Sequence, residues 1–397
     1  MKIAKITTYR PEQPATLIFV EVETNNGLIG LGETWFGAET VEAEIHGRLS
    51  QSLLGQDACK ITRLTRDTRP YVGACGTGAE MRASSAIEIA LWDLAGKRFQ
   101  APLVELLGGS VRAGIPVYNT CAGQDYVSNS SDVRPDNFGQ ETGEKFEDLK
   151  AFMERPVELA ESLLAMGISS MKIWPFDFAS GARDGEDISG PDLKRALEPF
   201  EAIRAALGDR MALKAELHGL WSLTAALKIC RALEPLAPDW VEDPVRMDRP
   251  DQLAELVAQT DCPIAGGETL GGVGQVQGLL ASGIQYPIVD VTWGGGIEFA
   301  REAAALAGAK GRPIAFHDCS GPVTLAVSTH LAHALPLVRE QEITRAFYTH
   351  VYPRLVHGLP SLKNGALMLS DAPGHGVKLT TALRSHPRTK VRLSAKS

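Results

Sequence analysis

Three glutamates constrain this chain more than anything else in it. Glu216, Glu242 and Glu268 recur at intervals of 26 and 26 residues, each closing a short apolar run. That interval is roughly one strand, one helix and their loops. Two further polar residues keep the rhythm: Asp290 ends the next run and His317 the one after, 27 residues on. The runs read as strands at 116–120, 170–174, 211–216, 240–242, 263–267, 287–290, 313–317 and, less clearly, 337–342. Alanine- and leucine-rich helical stretches lie between most of them, at 158–166, 193–207, 223–233, 251–259 and 298–308. Eight strands with helical crossovers over about 230 residues fit a parallel (β/α) barrel better than an open doubly wound sheet. No GxGxxG follows a first strand, which weighs against the open sheet.

The N-terminal part reads differently. Leu17–Val22 and Leu28–Glu33 flank the turn signal Asn25-Asn26-Gly27, so they form a hairpin. Residues 39–54 look helical, and 83–97 form a strong helix with Ala86, Ile87, Ala90, Leu91 and Leu94 on one apolar face. This is a separate α+β domain, spanning 1–112; the barrel takes 113–358. The segment 359–397, with its Asp-Ala-Pro-Gly-His-Gly turn, returns to the first domain. Two irregular stretches, 121–150 and 175–190, follow the first two barrel strands. In a barrel both lie on the face that carries active sites.

Any one strand-end glutamate could be a helix cap or a solvent-facing acid. Three in phase meet at the barrel mouth, where their repulsion calls for a cation. An oxygen-only donor set suits Mg²⁺. Asp290 behind His317 forms a dyad that fixes the tautomer and raises basicity. Glu216 and His218, two apart on a strand, face one side. Lys172 and Trp174 share a face in the same way, and near strand eight Glu340 and Glu342 compete for one inward position. Lys214 is in phase with Glu216, as a counter-ion below the metal or as an exposed group. A cation and a lysine can polarise a carboxylate and acidify the adjacent carbon. His317 with Asp290 can then take that proton while His218 protonates a leaving hydroxyl. Without a leaving group the same intermediate gives racemisation.

The helix motif Ala86-Ile87-Glu88-Ile89-Ala90-Leu91-Trp92-Asp93, the glutamate series, the Asp290/His317 pair and the turn Pro373-Gly374-His375-Gly376-Val377 resemble the enolase superfamily, in its mandelate racemase-like subgroup. The resemblance implies a modified (β/α)7β barrel, of the α/β class, with an α+β capping domain built from both ends of the chain. The racemase pattern Lys-x-Lys is absent: Lys172-Ile173-Trp174 stands there, so the second base is missing. Glu216-Leu217-His218-Gly219 instead resembles the Asp-x-His-Gly element of galactonate dehydratases, with Glu in place of Asp. By that resemblance Glu216, Glu242 and Glu268 match the Mg²⁺ ligands, His218 the acid, His317 with Asp290 the base, Lys172 the first lysine and Glu342 the acid that binds the substrate carboxylate. Specificity falls to two cap loops, 34–39 and 71–82, where Trp35 and Phe36 could close the pocket and Arg82 or Arg69 could meet a distal carboxylate; Trp174 is a further candidate. The expected activity is Mg²⁺-dependent dehydration of an aldonate or aldarate to a 2-keto-3-deoxy acid. An epimerase or lactone cycloisomerase using the same chemistry, and a non-catalytic sugar-acid binder, are the alternatives.

Composition narrows the partners. The net charge of −8 argues against nucleic acid, and no apolar segment is long enough to span a bilayer. The six cysteines form no CxxC pair, and the first residues do not read as a signal peptide. A cytoplasmic enzyme acting on a small carboxylate is expected, and the resemblance implies a dimer-based homo-oligomer, often an octamer.

Overall fold

The computed structural model describes residues 1–69, 76–129, 133, 135, 138 and 147–396. Strands β1 (Ile3–Arg10), β2 (Leu17–Thr24) and β3 (Ile29–Trp35) form an antiparallel sheet, with the strand Lys390–Ala395 on the other side of β1. The helix Ala79–Phe99 lies against β3. Small residues let the backbones meet: a Cβ on Gly30 would sit 2.0 Å from the Ala90 carbonyl oxygen, and one on Gly32 1.9 Å from that of Ala86. Alanines and glycines therefore alternate at this contact because nothing larger fits.

The returning segment is latched onto the same place. His375 Nε2 meets the Leu31 carbonyl at 2.8 Å, and the His375 amide donates to Asp93 Oδ1 at 3.2 Å. Asp93 also accepts from the Leu31 amide at 2.9 Å and from Lys97 at 2.5 Å.

The barrel closes on itself. Its strands are β4 (Ile115–Thr120), β5 (Ser170–Ile173), β6 (Ala212–Glu216), β7 (Trp240–Glu242), β8 (Ile264–Gly266), β9 (Tyr286–Val289), β10 (Ile314–Phe316) and β11 (Val338–Ile343). Each pairs in parallel with the next, and β11 pairs with β4. The eight expected strands are all present, the last displaced by one residue at each end. Tyr118, Trp240, Ala265, Ile288 and Ala315 fill the interior as a buried layer of alternating size. Lys214 belongs to this layer. It is fully buried, lies 4.2 Å from the Trp240 ring, and pairs with Asp239 at 2.7 Å and Glu340 at 3.1 Å. Of the two readings open for Lys214, the structure supports the counter-ion. Glu340, engaged below, leaves the mouth to Glu342. Among the described residues no helix is long and apolar enough to cross a membrane.

Two cap glutamates dock on the N-termini of barrel helices, where backbone N–H groups have no partner of their own. Glu88 accepts from the amides of Ile297 (2.8 Å) and Glu298 (3.0 Å) at the start of the helix Gly296–Ala309, and from Trp92 Nε1 (2.9 Å). Glu33 accepts from the amide and hydroxyl of Thr324, at 2.6 and 2.9 Å, at the start of the helix Pro322–Ala334. Complete burial pushes each carboxyl up to about 8 in spite of these bonds.

Two outcomes follow. Glu88→Ala strips the cap from one helix and lowers unfolding stability by about 2 kcal/mol in a urea titration, the upper range for a lost cap. Glu33 binds its proton more tightly folded than unfolded. Its contribution is complete below about 4.5 and is lost as pH rises through about 8. Urea midpoints measured from pH 4.5 to 8 should fall less steeply for Glu33→Gln than for the unaltered protein.

Candidate active site

The acids converge at the mouth of the barrel by two different routes. Glu216 and Glu242 are paired neighbours at the ends of β6 and β7. Glu268 is not in strand phase with them. Glu242 pairs with Ala265, β8 stops at Gly266, and Glu268 lies two residues beyond. Gly266 and Gly267 carry φ of 153° and 115°, and a Cβ on Gly266 would meet Asp243 Oδ1 at 2.3 Å. This glycine turn, which only glycine tolerates, swings Glu268 inward. One oxygen from each glutamate then lies within 4.8 Å of the others.

Lys172, at the end of β5, sits among them. Its Nζ is 2.6 Å from Glu242, 2.9 Å from Glu216 and 3.0 Å from Glu342. The remaining carboxylate oxygens find donors. Glu216 accepts from the amides of Leu217 (3.0 Å) and His218 (2.8 Å), Glu242 from Trp240 Nε1 (2.8 Å), and Glu342 from the Asp318 amide (3.0 Å) and the Thr120 hydroxyl. Burial alone would raise Glu216, but Lys172 and His218 pull it down to about 2. The same burial wins at Glu242 and Glu268, assisted by repulsion from the neighbouring glutamates, and both are raised. Asp243 is raised well above its ordinary value by burial and then by Glu268. The protein's own cations leave this cluster short of positive charge. An oxygen-only set short of positive charge fits a hard divalent ion.

Two imidazoles flank the acids from β6 and β10, four strands apart in the eight-stranded ring. His317 Nδ1 pairs with Asp290 Oδ2 at 2.7 Å, leaving Nε2 3.3 Å from Glu268 and 4.0 Å from Glu342. Asp290 is itself held by Ser320 Oγ (2.6 Å), Thr292 Oγ1 (3.0 Å) and the Trp293 amide (2.7 Å). Burial would lower His317, yet Glu268, Glu342 and Asp290 hold it well above its ordinary value.

His218 departs from the expected geometry. Strand alternation ends at Glu216, and His218 has left-handed backbone, φ 46°. That turn, rather than a strand phase, brings its ring to the cavity. Its Nδ1 pairs with Asp177 Oδ2 at 2.6 Å, and its Nε2 faces the Tyr126 hydroxyl at 3.0 Å. Burial would lower it, but Glu216 and Asp177 raise it to about 9. Residue-by-residue reading missed Asp177 and Tyr126. Both lie in the two long stretches after β4 and β5 that the rhythm of the barrel sets apart, which was the available signal.

The remaining candidates are placed as follows. Trp174 is buried beside His218, ring centroids 5.6 Å apart, and packs on Tyr126 and Phe152. It supports the wall and is not part of the cavity lining. Trp35 is buried and stacked on Phe347; its neighbour Phe36 lines the cavity instead, its ring 5.5 Å from Trp293. Arg82 donates to the carbonyls of Trp35 (3.2 Å) and Phe36 (2.8 Å), so it braces that turn. Arg69 reaches the Gly295 carbonyl at 3.4 Å. Parts of the cap loop 71–82 (71–75) and of the stretch 121–150 (130–132, 134, 136–137 and 139–146) lie outside the described residues.

Known proteins share this arrangement. The family model "Mandelate racemase / muconate lactonizing enzyme, N-terminal domain" matches residues 3–108, and "Enolase C-terminal domain-like" matches 155–383. A D-galactonate dehydratase of Ralstonia nicotianae is 29% identical over 397 residues, covering 96% of this chain and 93% of that protein. The crystal structure of an enolase of the mandelate racemase subgroup from Agrobacterium tumefaciens superposes with a TM-score of 0.88 at 40% identity, over 100% of this chain and 99% of that one. An enolase protein from Sargasso Sea environmental sequencing gives 0.89, also at 40% identity, over 100% and 99%.

If the three glutamates hold a divalent ion, Mg²⁺ at a hundredfold excess over Kd stabilises the fold by about 2.7 kcal/mol. This appears as a rise of several degrees in a thermal melt, reversed by EDTA. Glu242→Gln should remove most of the rise, and an equal rise in that variant would rule out this site.

Proposed function

We propose, since the chain belongs to the enolase superfamily and its mandelate racemase-like branch, that it is a Mg²⁺-dependent dehydratase converting a sugar acid to a 2-keto-3-deoxy acid. One observation carries the reading: each of two imidazoles at opposite sides of the barrel mouth has its own carboxylate. A carboxylate-backed imidazole opposite the base can donate a proton to a departing hydroxyl, and the lysine that serves the racemases as second base is missing from Lys172-Ile173-Trp174. The dehydratase names among the relatives agree with it.

Glu216, Glu242 and Glu268 would hold the metal, which when bound neutralises their charge and stabilises the negative charge developing on the substrate carboxylate. Lys172 would grip that carboxylate from the protein side as an ammonium, with Glu342, 3.0 Å from its Nζ, beside it. Asp290 accepts the hydrogen bond from Nδ1–H of His317, so Nε2 is the basic atom facing the cavity. With Glu268, the chief cause of its raised value, neutralised by a cation, His317 would be neutral; in that form it takes the proton from C2, and the bonding pair passes into the enediolate. The C3–O bond then breaks, its pair leaves with oxygen, and a proton supplied by the His218 side completes water. His218, held up to about 9, starts as imidazolium at neutral pH. The enol that remains picks up a proton at C3 and becomes the 2-keto acid.

A stereochemically complete panel of aldonates and aldarates, with Mg²⁺, tests the reading by release of 2-keto acid; no product from any member would reject it. With an active substrate, His317→Asn should reduce both dehydration and C2 deuterium exchange in D₂O by about 10³-fold or more. His218→Asn should reduce dehydration to a similar extent and leave C2 exchange running, since the enediolate still forms. Exchange surviving in His317→Asn would place the base elsewhere.

A further inference from the structure

We propose that Tyr126 is a further catalytic residue, the group that hands the proton to the departing hydroxyl, with His218 and Asp177 behind it. The inference rests on the dehydration reading above. With His218 Nδ1 taken by Asp177 at 2.6 Å, Nε2 is the nitrogen left to deliver a proton, and the Tyr126 hydroxyl already occupies it at 3.0 Å. A substrate hydroxyl therefore reaches His218 through the phenol or by displacing it.

Displacement is opposed by packing. Tyr126 is 4% exposed, and its ring lies 5.3 Å from that of Trp174 and 5.6 Å from that of Phe138. The adjacent backbone is held as well. Val127 has left-handed φ, 44°, a costly conformation for a β-branched residue that persists only where its surroundings impose it. The next carbonyl, of Ser128, accepts from the amide (3.4 Å) and hydroxyl (3.2 Å) of Thr16 in the cap. Asp177 is fixed in turn, its other oxygen 3.4 Å from Trp221 Nε1. Tyr126 borders, beside His218, the cavity that Lys172, Glu268 and His317 line.

The step balances. The C3–O bond breaks and its electron pair stays on oxygen. That oxygen takes the phenol proton and leaves as water. The phenolate oxygen takes the Nε2 proton of His218, which is left neutral with its Nδ1 proton on the Asp177 bond. No oxidant, reductant or further reactant is needed.

The experiment uses Tyr126→Phe with an acid that the unaltered enzyme dehydrates, following 2-keto acid release and C2 deuterium exchange in D₂O. The expected result is a fall in kcat for dehydration of about 10²-fold or more, the usual contribution of a positioned proton donor. KM and C2 exchange should stay within about threefold of the unaltered enzyme, a split that mere loss of packing does not produce. A kcat within about threefold of the unaltered enzyme, or a change in KM alone, overturns the role. Replacing Tyr126 by a ring-fluorinated tyrosine keeps the shape and changes the acidity, so it decides the matter if the Phe variant misfolds; an unchanged kcat there also overturns the role. Absence of 2-keto acid from the unaltered protein rejects dehydration and this role together, whereas dehydration retained in the Phe variant rejects this role alone.

Discussion

The structure depends on one ammonium group. Lys172 lies within 3.0 Å of three buried carboxylates, and it is itself nearly inaccessible. Neither side is affordable alone in a low-dielectric interior: an unpaired buried charge costs several kcal/mol, and so does each unpaired acid. The barrel brings them together because strands β5, β6, β7 and β11 end at one mouth. Lone pairs that Lys172 does not reach are taken by backbone amides and an indole N–H. The geometry of the pocket is thus held by this partial neutralisation and these hydrogen bonds before any ligand enters.

A second property is shared around the pocket. Phe36, Val127, His218, Asp243 and Cys319 all have left-handed backbone although none is glycine. Four of them line the cavity, and Asp243 lies between the second and third glutamates. Strain of this kind is sustained by the rest of the fold, whose closed barrel and docked cap supply the rigidity. It lets side chains leave the strand ends in directions that alternation along a strand does not provide.

Legibility in the sequence followed the same division. The 26-residue interval, the hairpin and the alanine-rich helix express regular backbone, where side-chain period reports burial. The barrel, the cap and the acids on β6 and β7 were therefore readable. Glu268 was placed in the right cluster for a different geometric reason, because a glycine turn stands where strand phase was expected. His218 was likewise found without its left-handed turn. Asp177 and Tyr126 were not found, since irregular stretches carry no period and tertiary contacts alone give such residues meaning. Trp35 and Phe36 show the finest limit: adjacent aromatics, and only the φ of 69° at Phe36 separates the one that packs from the one that faces the cavity.

The pairing of β1 with the strand Lys390–Ala395 has a consequence for how the molecule is made. Tyr9 faces Val391 across that ladder, 382 positions along the chain. A contact of such separation carries a large loop-closure cost and forms late. During synthesis the first strands emerge well before their outer neighbour exists. One edge of the sheet therefore stays open, with unsatisfied backbone groups, while the whole barrel is translated. The interval between emergence and closure is a window in which a nascent chain is exposed to strand exchange with another copy, and the charged residues Lys390 and Arg392 on the closing strand limit that hazard once it is in place.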